Sequence, residues 1–253
     1  MANYQLTVVL RGVIYRGYIL PISEGKGGTM GYFPIQLQLT DRPVVVVGGG
    51  EVAARKSRSV LASGGRVKAI ASRFADEMRQ LRSHEHFCMV ERDYQAGDLA
   101  GAFLAFAATD DHEINQQVAL EAVSRGILCS VADAPEQGGF ISPAVVERGD
   151  LVITVSTNGR VPALAARIRD EIAGRYGDGY GRAVELLANI REKLLTSRND
   201  RKYNKKILNE LAAGDLPQLL ENNAAEAINH LLLELLGPEF TLDRLMVDKK
   251  DSP

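Results

Sequence analysis

The sequence predicts an α/β fold: a doubly wound parallel sheet, then a two-stranded segment, then a small all-helical domain. Three observations predict it. An uninterrupted β-branched run, Val44 to Val47, enters a glycine turn at Gly48-Gly49-Gly50 and leaves it as a helical pattern. Strand-like and helix-like segments then alternate over about 100 residues, the order that gives parallel strands joined by crossover helices. From Pro162 onward the apolar stripes all have helical spacing.

Each element has its own signal. The four valines suit a strand buried on both faces. Gly48 and Gly50 fit the first two glycines of G-x-G-x-x-G/A, and Ala53 fits the third position. That geometry turns the chain tightly and brings backbone N–H groups to a pyrophosphate at a helix N-terminus. Glu51 to Ala62 continues as the helix, stopped by Gly64-Gly65. Arg66 to Ala71 is the second strand, Phe74 to Arg82 a helix, and Phe87 to Glu91 a strand. Phe103 to Ala108 is the next core strand, ending in Thr109-Asp110-Asp111, which cap a helix running to about Ser124. Gly126 ends that helix, and Ile127 to Ala132 forms another apolar strand.

The rhythm then changes. Phe140-Ile141 and Leu151 to Ser156 read as strands either side of the polar turn Glu147-Arg148-Gly149-Asp150, a hairpin or an exchanged pair. Helices follow at Ala163 to Ala173, Arg182 to Leu195, Lys205 to Ala213 and Asn223 to Leu236. The cluster Leu231-Leu232-Leu233 with Leu235-Leu236 reads as helix core or subunit contact. The resulting organisation is residues 1–29 as an upstream extension or arm, 30–142 as a dinucleotide-binding domain, 143–175 as a segment opened by the paired strands and 176–253 as a helical domain.

Composition narrows the function. With 253 residues, a net charge of −2 and 25% charged residues, the chain has a full core and no basic field for nucleic acid or a membrane surface. Its two cysteines, Cys88 and Cys129, form no C-x-x-C pair, so a reducing cytoplasm is the default expectation and metal knuckles are excluded. No apolar run approaches the roughly 20 residues that span a bilayer. The absence of a G-x-S-x-G elbow and of a lysine-bearing phosphate loop disfavours hydrolase and triphosphatase chemistry.

Ligands in open α/β sheets lie beyond the carboxyl ends of the strands. Ser72-Arg73 follow the second strand, where an acid often holds the ribose hydroxyls; Arg73 there suits a 2′-phosphate or is simply a solvated surface residue. Thr109-Asp110 either meet the cofactor or only cap a helix. Asp133 follows an apolar strand and precedes Ala134-Pro135, so a proton-transfer or substrate-orienting carboxylate competes with a turn former there. The four histidines show no ligand spacing, and surface roles account for each, His112 included.

Taken together, M-G-Y-F-P-I-Q-L-Q-L from Met30, V-V-G-G-G-E-V-A-A-R-K, A-A-T-D-D, V-A-D-A-P and F-I-S-P-A resemble the precorrin-2 dehydrogenase family, the dehydrogenase and chelatase portions of siroheme synthases. The resemblance runs from Met30 to about Arg169 with the motifs in family order, and the helical tail is similar too. It implies a Rossmann-like domain, a strand-exchanging dimerisation segment and a small helical domain in a homodimer. It implies oxidation of precorrin-2, a tetrapyrrole, to sirohydrochlorin with NAD as hydride acceptor, and in some members insertion of ferrous iron, with no tightly bound metal. The family's essential aspartate falls on Asp133, and its cofactor contacts fall on Gly48, Gly49, Gly50, Glu51 and Val52 and on Ser72 and Arg73. Where the family often carries a phosphorylatable serine followed by glycines, this chain has Ser156-Thr157-Asn158-Gly159, so Thr157 is a position to watch for regulation. Arg73 stands where a neutral residue is known, which keeps NADP in view beside NAD.

The mechanism this predicts places the dinucleotide over Gly48 to Val52 and the reduced macrocycle beside Asp133. Asn158, Gly159 and Arg160 are weaker candidates for substrate binding, and Arg148, Arg160, Arg167 and Arg169 for meeting its carboxylates. Two rivals stand beside it: a chelatase that has lost dehydrogenation, and an NAD(H)-sensing module that needs no carboxylate at the cleft.

Overall fold

The computed structural model describes residues 5–10, 13–18, 31–197 and 201–246. The chain divides into two compact units, Met1–Pro34 and Ile35–Pro253. In the first, β1 (Gln5–Leu10) and β2 (Val13–Tyr18) pair antiparallel, Gln5 opposite Tyr18 and Leu10 opposite Val13. This pair lies inside the predicted extension 1–29. β-Branched residues occur in both segments and two tyrosines in β2, a composition that favours a pleated ribbon.

The second unit opens on β3 (Pro43–Val47), α1 (Glu51–Ala62), β4 (Arg66–Ala71), α2 (Asp76–Arg79), β5 (Phe87–Glu91), β6 (Leu104–Ala107), α3 (His112–Arg125) and β7 (Leu128–Val131). The five strands form one parallel sheet in the order β5-β4-β3-β6-β7. The valines of β3 show why: Val44 and Val46 pack into the layer with Ala53, Ala54 and Val60 of α1, whereas Val45 and Val47 pack with Val118, Ala119 and Ala122 of α3. The period of two in a strand sends alternate side chains to opposite faces, and each face meets a helix. Chain order reverses between β3 and β6, so the topological switch point lies at their carboxyl ends.

Beyond the sheet, β8 (Ala144–Arg148) and β9 (Leu151–Val155) form an antiparallel hairpin, Ala144 opposite Val155. The predicted strand at Phe140-Ile141 is not formed; Phe140 instead packs edge-on against Phe106, with ring centroids 5.5 Å apart, and the strand begins only after Pro143. Likewise the predicted helix from Phe74 to Arg82 shortens to α2 followed by a 3₁₀ turn at Gln80–Ser83.

The remainder is helical: α4 (Pro162–Arg175), α5 (Asp178–Ser197), α6 (Arg201–Ala213), α7 (Leu216–Glu221), α8 (Ala225–Leu236) and α9 (Leu242–Leu245). Residues four apart line a separate core, to which α5 contributes Leu186, Ile190 and Leu194 and α8 contributes Ile228, Leu232 and Leu236. Leu232 and Leu236 of the predicted leucine cluster are thus core, while Leu233 is exposed. α7 falls between the predicted helices 205–213 and 223–236, and Pro217 in its first turn starts it.

Candidate functional site

Three strand ends converge on the glycine turn. Gly48, at φ +137°, has its Cα against Ala108: a Cβ there would stand 2.1 Å from the Ala108 carbonyl oxygen. At Gly49 a Cβ would stand 1.9 Å from the Arg73 carbonyl oxygen, and the Gly49 carbonyl accepts from the Ala75 N–H at 2.8 Å. Gly50 differs, because a Cβ there meets nothing within 4 Å. Two glycines are therefore required by the protein's own packing, and the third keeps open the space in front of α1. No side chain caps α1, whose first turn, with Glu51 and Val52 exposed, presents its N–H groups to that space. This arrangement fits a dinucleotide pyrophosphate.

Ser72 and Arg73 are exposed beyond β4. Beyond β6, Thr109 is tied down on all sides: its N–H and hydroxyl donate to Asn115 Oδ1 at 3.1 and 2.8 Å, and its carbonyl accepts from Asn115 Nδ2 at 3.0 Å. Of the predicted capping triplet only Asp111 caps α3, accepting from the N–H groups of Glu113 and Ile114; Asp110 is simply exposed.

Asp133 sits past the end of β7, and both its oxygens are held from α3. Asn115 Nδ2 donates to Oδ1 at 2.8 Å, and His112 Nδ1 lies 2.7 Å from Oδ2. Asn115 is fully buried and so links Asp133 rigidly to Thr109 and the strand ends. Partial burial pushes the Asp133 carboxyl up, but the bonds from His112 and Asn115 outweigh it and hold the group below the usual carboxylate range. The Asp133 hydrogen bond and charge raise the His112 imidazole above 6.5. His112, read from the sequence as a surface residue, is thus a partner of Asp133.

The sign of each shift fixes when the pair contributes. A lowered carboxylate stabilises the fold above its unfolded pKa and loses that contribution as pH falls through the folded value; a raised imidazole stabilises below about 6.5 and loses it as pH rises through the folded value. The pair is therefore intact across mildly acidic pH. In an NMR titration His112 is expected to titrate above 6.5 and to return toward 6.5 in Asp133→Asn; an unmoved midpoint would show that the contact has no weight in solution.

A cavity of about 370 Å³ adjoins this network, walled by α1, the ends of β6, β7 and β9, the segment 141–144 and the start of α4. Ala108 lines it as well as crowding Gly48, and Val52 belongs to it and to the first turn of α1. Ala132 and Pro135, flanking the Asp133-Ala134 pair, also line it, while the Asp133 carboxylate itself turns to α3. Of the weaker substrate candidates, Gly159 lines the cavity and Arg160 is exposed; Asn158, at φ 53°, forms the turn between them and β9. Thr157 is another wall residue, and its hydroxyl accepts from the Val161 N–H. Three of the four arginines expected to meet carboxylates are engaged elsewhere: Arg148 with Asp178, Arg167 with Glu171 and Arg169 with Asp170. Among the described residues no group of three His, Cys, Asp or Glu side chains is placed to hold a metal ion, and no helix is long and apolar enough to cross a membrane.

Comparison with known proteins gives the same direction. Residues 35–144 match a family described as "Putative NAD(P)-binding", and residues 148–175 match "Sirohaem biosynthesis protein central". Among curated relatives, the siroheme synthase of Citrobacter koseri is 34% identical over 213 residues, covering 82% of this chain and 46% of that protein. The siroheme synthase of Edwardsiella ictaluri is 36% identical over 165 residues, 65% of this chain and 36% of that protein, and that of Chromobacterium violaceum is 39% identical over 163. The chain spans less than half the length of these relatives. A solved precorrin-2 dehydrogenase superposes with a TM-score of 0.67 at 22% identity, covering 79% of this chain and 98% of that one, which shows the fold. The resemblance carried by the motifs is found again in family models, in relatives and in architecture.

Proposed function

We propose that this chain, whose residues 35–144 and 148–175 carry the nucleotide-binding and central segments shared with siroheme synthases, oxidises precorrin-2 to sirohydrochlorin with NAD. One observation carries the reading: the glycine turn and the cavity share Ala108 and Val52, so a dinucleotide on one and a macrocycle in the other would lie in contact. When bound, the nicotinamide supplies the hydride acceptor.

The chain's own groups handle what remains. Losing a hydride leaves the macrocycle with one proton to release. In this reading the proton passes to the exposed Asp133 carboxylate, whose chain neighbours Ala132 and Pro135 line the cavity. A carboxylate held below its ordinary range is a weak base, and the more basic His112 imidazole 2.7 Å away is where the proton comes to rest. Asn115 is a positioning residue that fixes the carboxylate's other oxygen. A homodimer is part of the proposal, built on the hairpin β8–β9, where Val145 and Val152 are exposed apolar residues on facing strands.

The deciding experiment supplies precorrin-2 and NAD and follows the absorbance of sirohydrochlorin, then adds ferrous iron to read insertion. Nucleotide binding with neither reaction would replace the proposal by the sensing module. The cofactor is proposed to be NAD, with NADP a second ligand through Arg73. An exposed ion pair is worth about 1 kcal/mol at most, so Arg73→Ala is expected to weaken NADP by about fivefold or less and leave NAD unchanged in a fluorescence titration.

A further inference from the structure

The cavity's walls carry two cations and no acid. Arg55 and Lys56 both line it, in the second turn of α1, and the other polar wall groups are hydroxyls such as Ser130, Ser142 and Thr157 among alanine, valine and proline. Lys56 is half-buried, its ammonium standing 5.7 Å from the centroid of the Phe106 ring, which forms the floor beside it. Among the described residues no carboxylate pairs with it, and burial and the neighbouring Arg55 charge both push the amine's pKa down. An ammonium kept in a partly dry site without a counter-ion is costly unless a ligand brings the charge. Of the four arginines that the sequence offered for this task, Arg148, Arg167 and Arg169 already have acidic partners on their own helices or on α5, and Arg160 is exposed and does not line the cavity.

We propose that Lys56, with Arg55 beside it, anchors a carboxylate of an anionic tetrapyrrole in this cavity, the Phe106 ring and the alanine and proline walls taking the apolar ring. The inference rests on the tetrapyrrole reading above and adds the residue that recognises its charge. Lys56 lies a full turn beyond the first turn of α1, where the dinucleotide is placed, so its anion comes from the macrocycle.

Binding of uroporphyrin, a ring with eight carboxylates, is followed by its fluorescence with the full chain, beside a tetracationic porphyrin of similar ring size. NADH titration and thermal melting are run on the same samples. The expected result is that Lys56→Met weakens uroporphyrin about tenfold or more, that Lys56→Arg recovers most of the loss, and that NADH affinity and melting stay as in the wild type. Lys56→Gln serves in place of the methionine variant if that one does not fold. Uroporphyrin bound by Lys56→Met as tightly as by the wild type overturns the inference and leaves the tetrapyrrole reading standing. Loss of NADH rather than uroporphyrin affinity assigns Lys56 to the dinucleotide and also overturns it. A wild type that binds neither porphyrin, or binds the cationic one equally well, sinks the inference together with the reading on which it rests.

Discussion

Asp133→Asn is expected to slow precorrin-2 oxidation by about 10²–10⁴-fold, the usual weight of a positioned proton acceptor, with NADH affinity unchanged and melting temperature lowered only slightly by loss of the exposed ion pair with His112. The substitution isolates charge from shape. An asparagine oxygen still accepts from Asn115 Nδ2, so the buried link to Thr109 survives, and the exposed site has little packing to lose. What disappears is the carboxylate facing His112. In the wild type the rate is expected to rise with pH through the raised His112 pKa, because the imidazole must be free to take the proton from Oδ2. His112→Gln keeps the carboxylate and removes that resting place; a loss of about tenfold, with the ascending limb abolished, is expected. A purely structural role for the pair would give neither the limb nor its loss. An Asp133→Asn enzyme working at the wild-type rate would end the assignment of proton transfer to this residue.

The difference between Asp133 and His112 shows what a linear sequence carries. Asp133 stood out because an acid directly after a buried strand has no packing reason to be there. The partner did not, because 21 residues separate the two and only the parallel pairing of β6 with β7 brings the start of α3 beside the end of β7. Lys56 was in plain view within V-A-A-R-K, but which way the second turn of α1 faces depends on Phe106 and on segment 141–144, far along the chain. Local rules did better where local forces decide. The bounds of α1 and β4 agree with expectation residue for residue, set by a glycine turn before the helix and a glycine stop between it and the strand. Phe140-Ile141 misled for the opposite reason: apolar residues serve a strand or a side-chain contact equally well, and here Phe106 claims the ring.

The glycine turn yields the second large effect, and its three positions are expected to fail in different ways. Gly48→Ala forces a side chain onto backbone at φ +137° and into the Ala108 carbonyl, a strain of about 1–3 kcal/mol added to overpacking of about 1–3 kcal/mol. Gly49→Ala meets the Arg73 carbonyl just as closely, without the unfavourable φ. In both, the obstacle is main chain of a neighbouring strand end, which cannot rotate aside. Melting should therefore fall by several degrees or more, and nucleotide binding with it. Gly50→Ala has no such obstacle: the backbone is extended at φ −90° and the added methyl enters open space. Its melting temperature is expected to match the wild type or exceed it slightly, since alanine restricts the unfolded chain more than glycine does. Its NADH affinity is expected to fall tenfold or more, because the methyl stands where the pyrophosphate must approach the N–H groups of α1. Thermal melting and NADH titration on the three variants separate the two kinds of glycine. An alanine at position 50 that binds NADH as the wild type does would mean that the phosphates lie elsewhere, and a stable, binding-competent Gly49→Ala would mean that the Arg73 segment yields where the packing says it cannot.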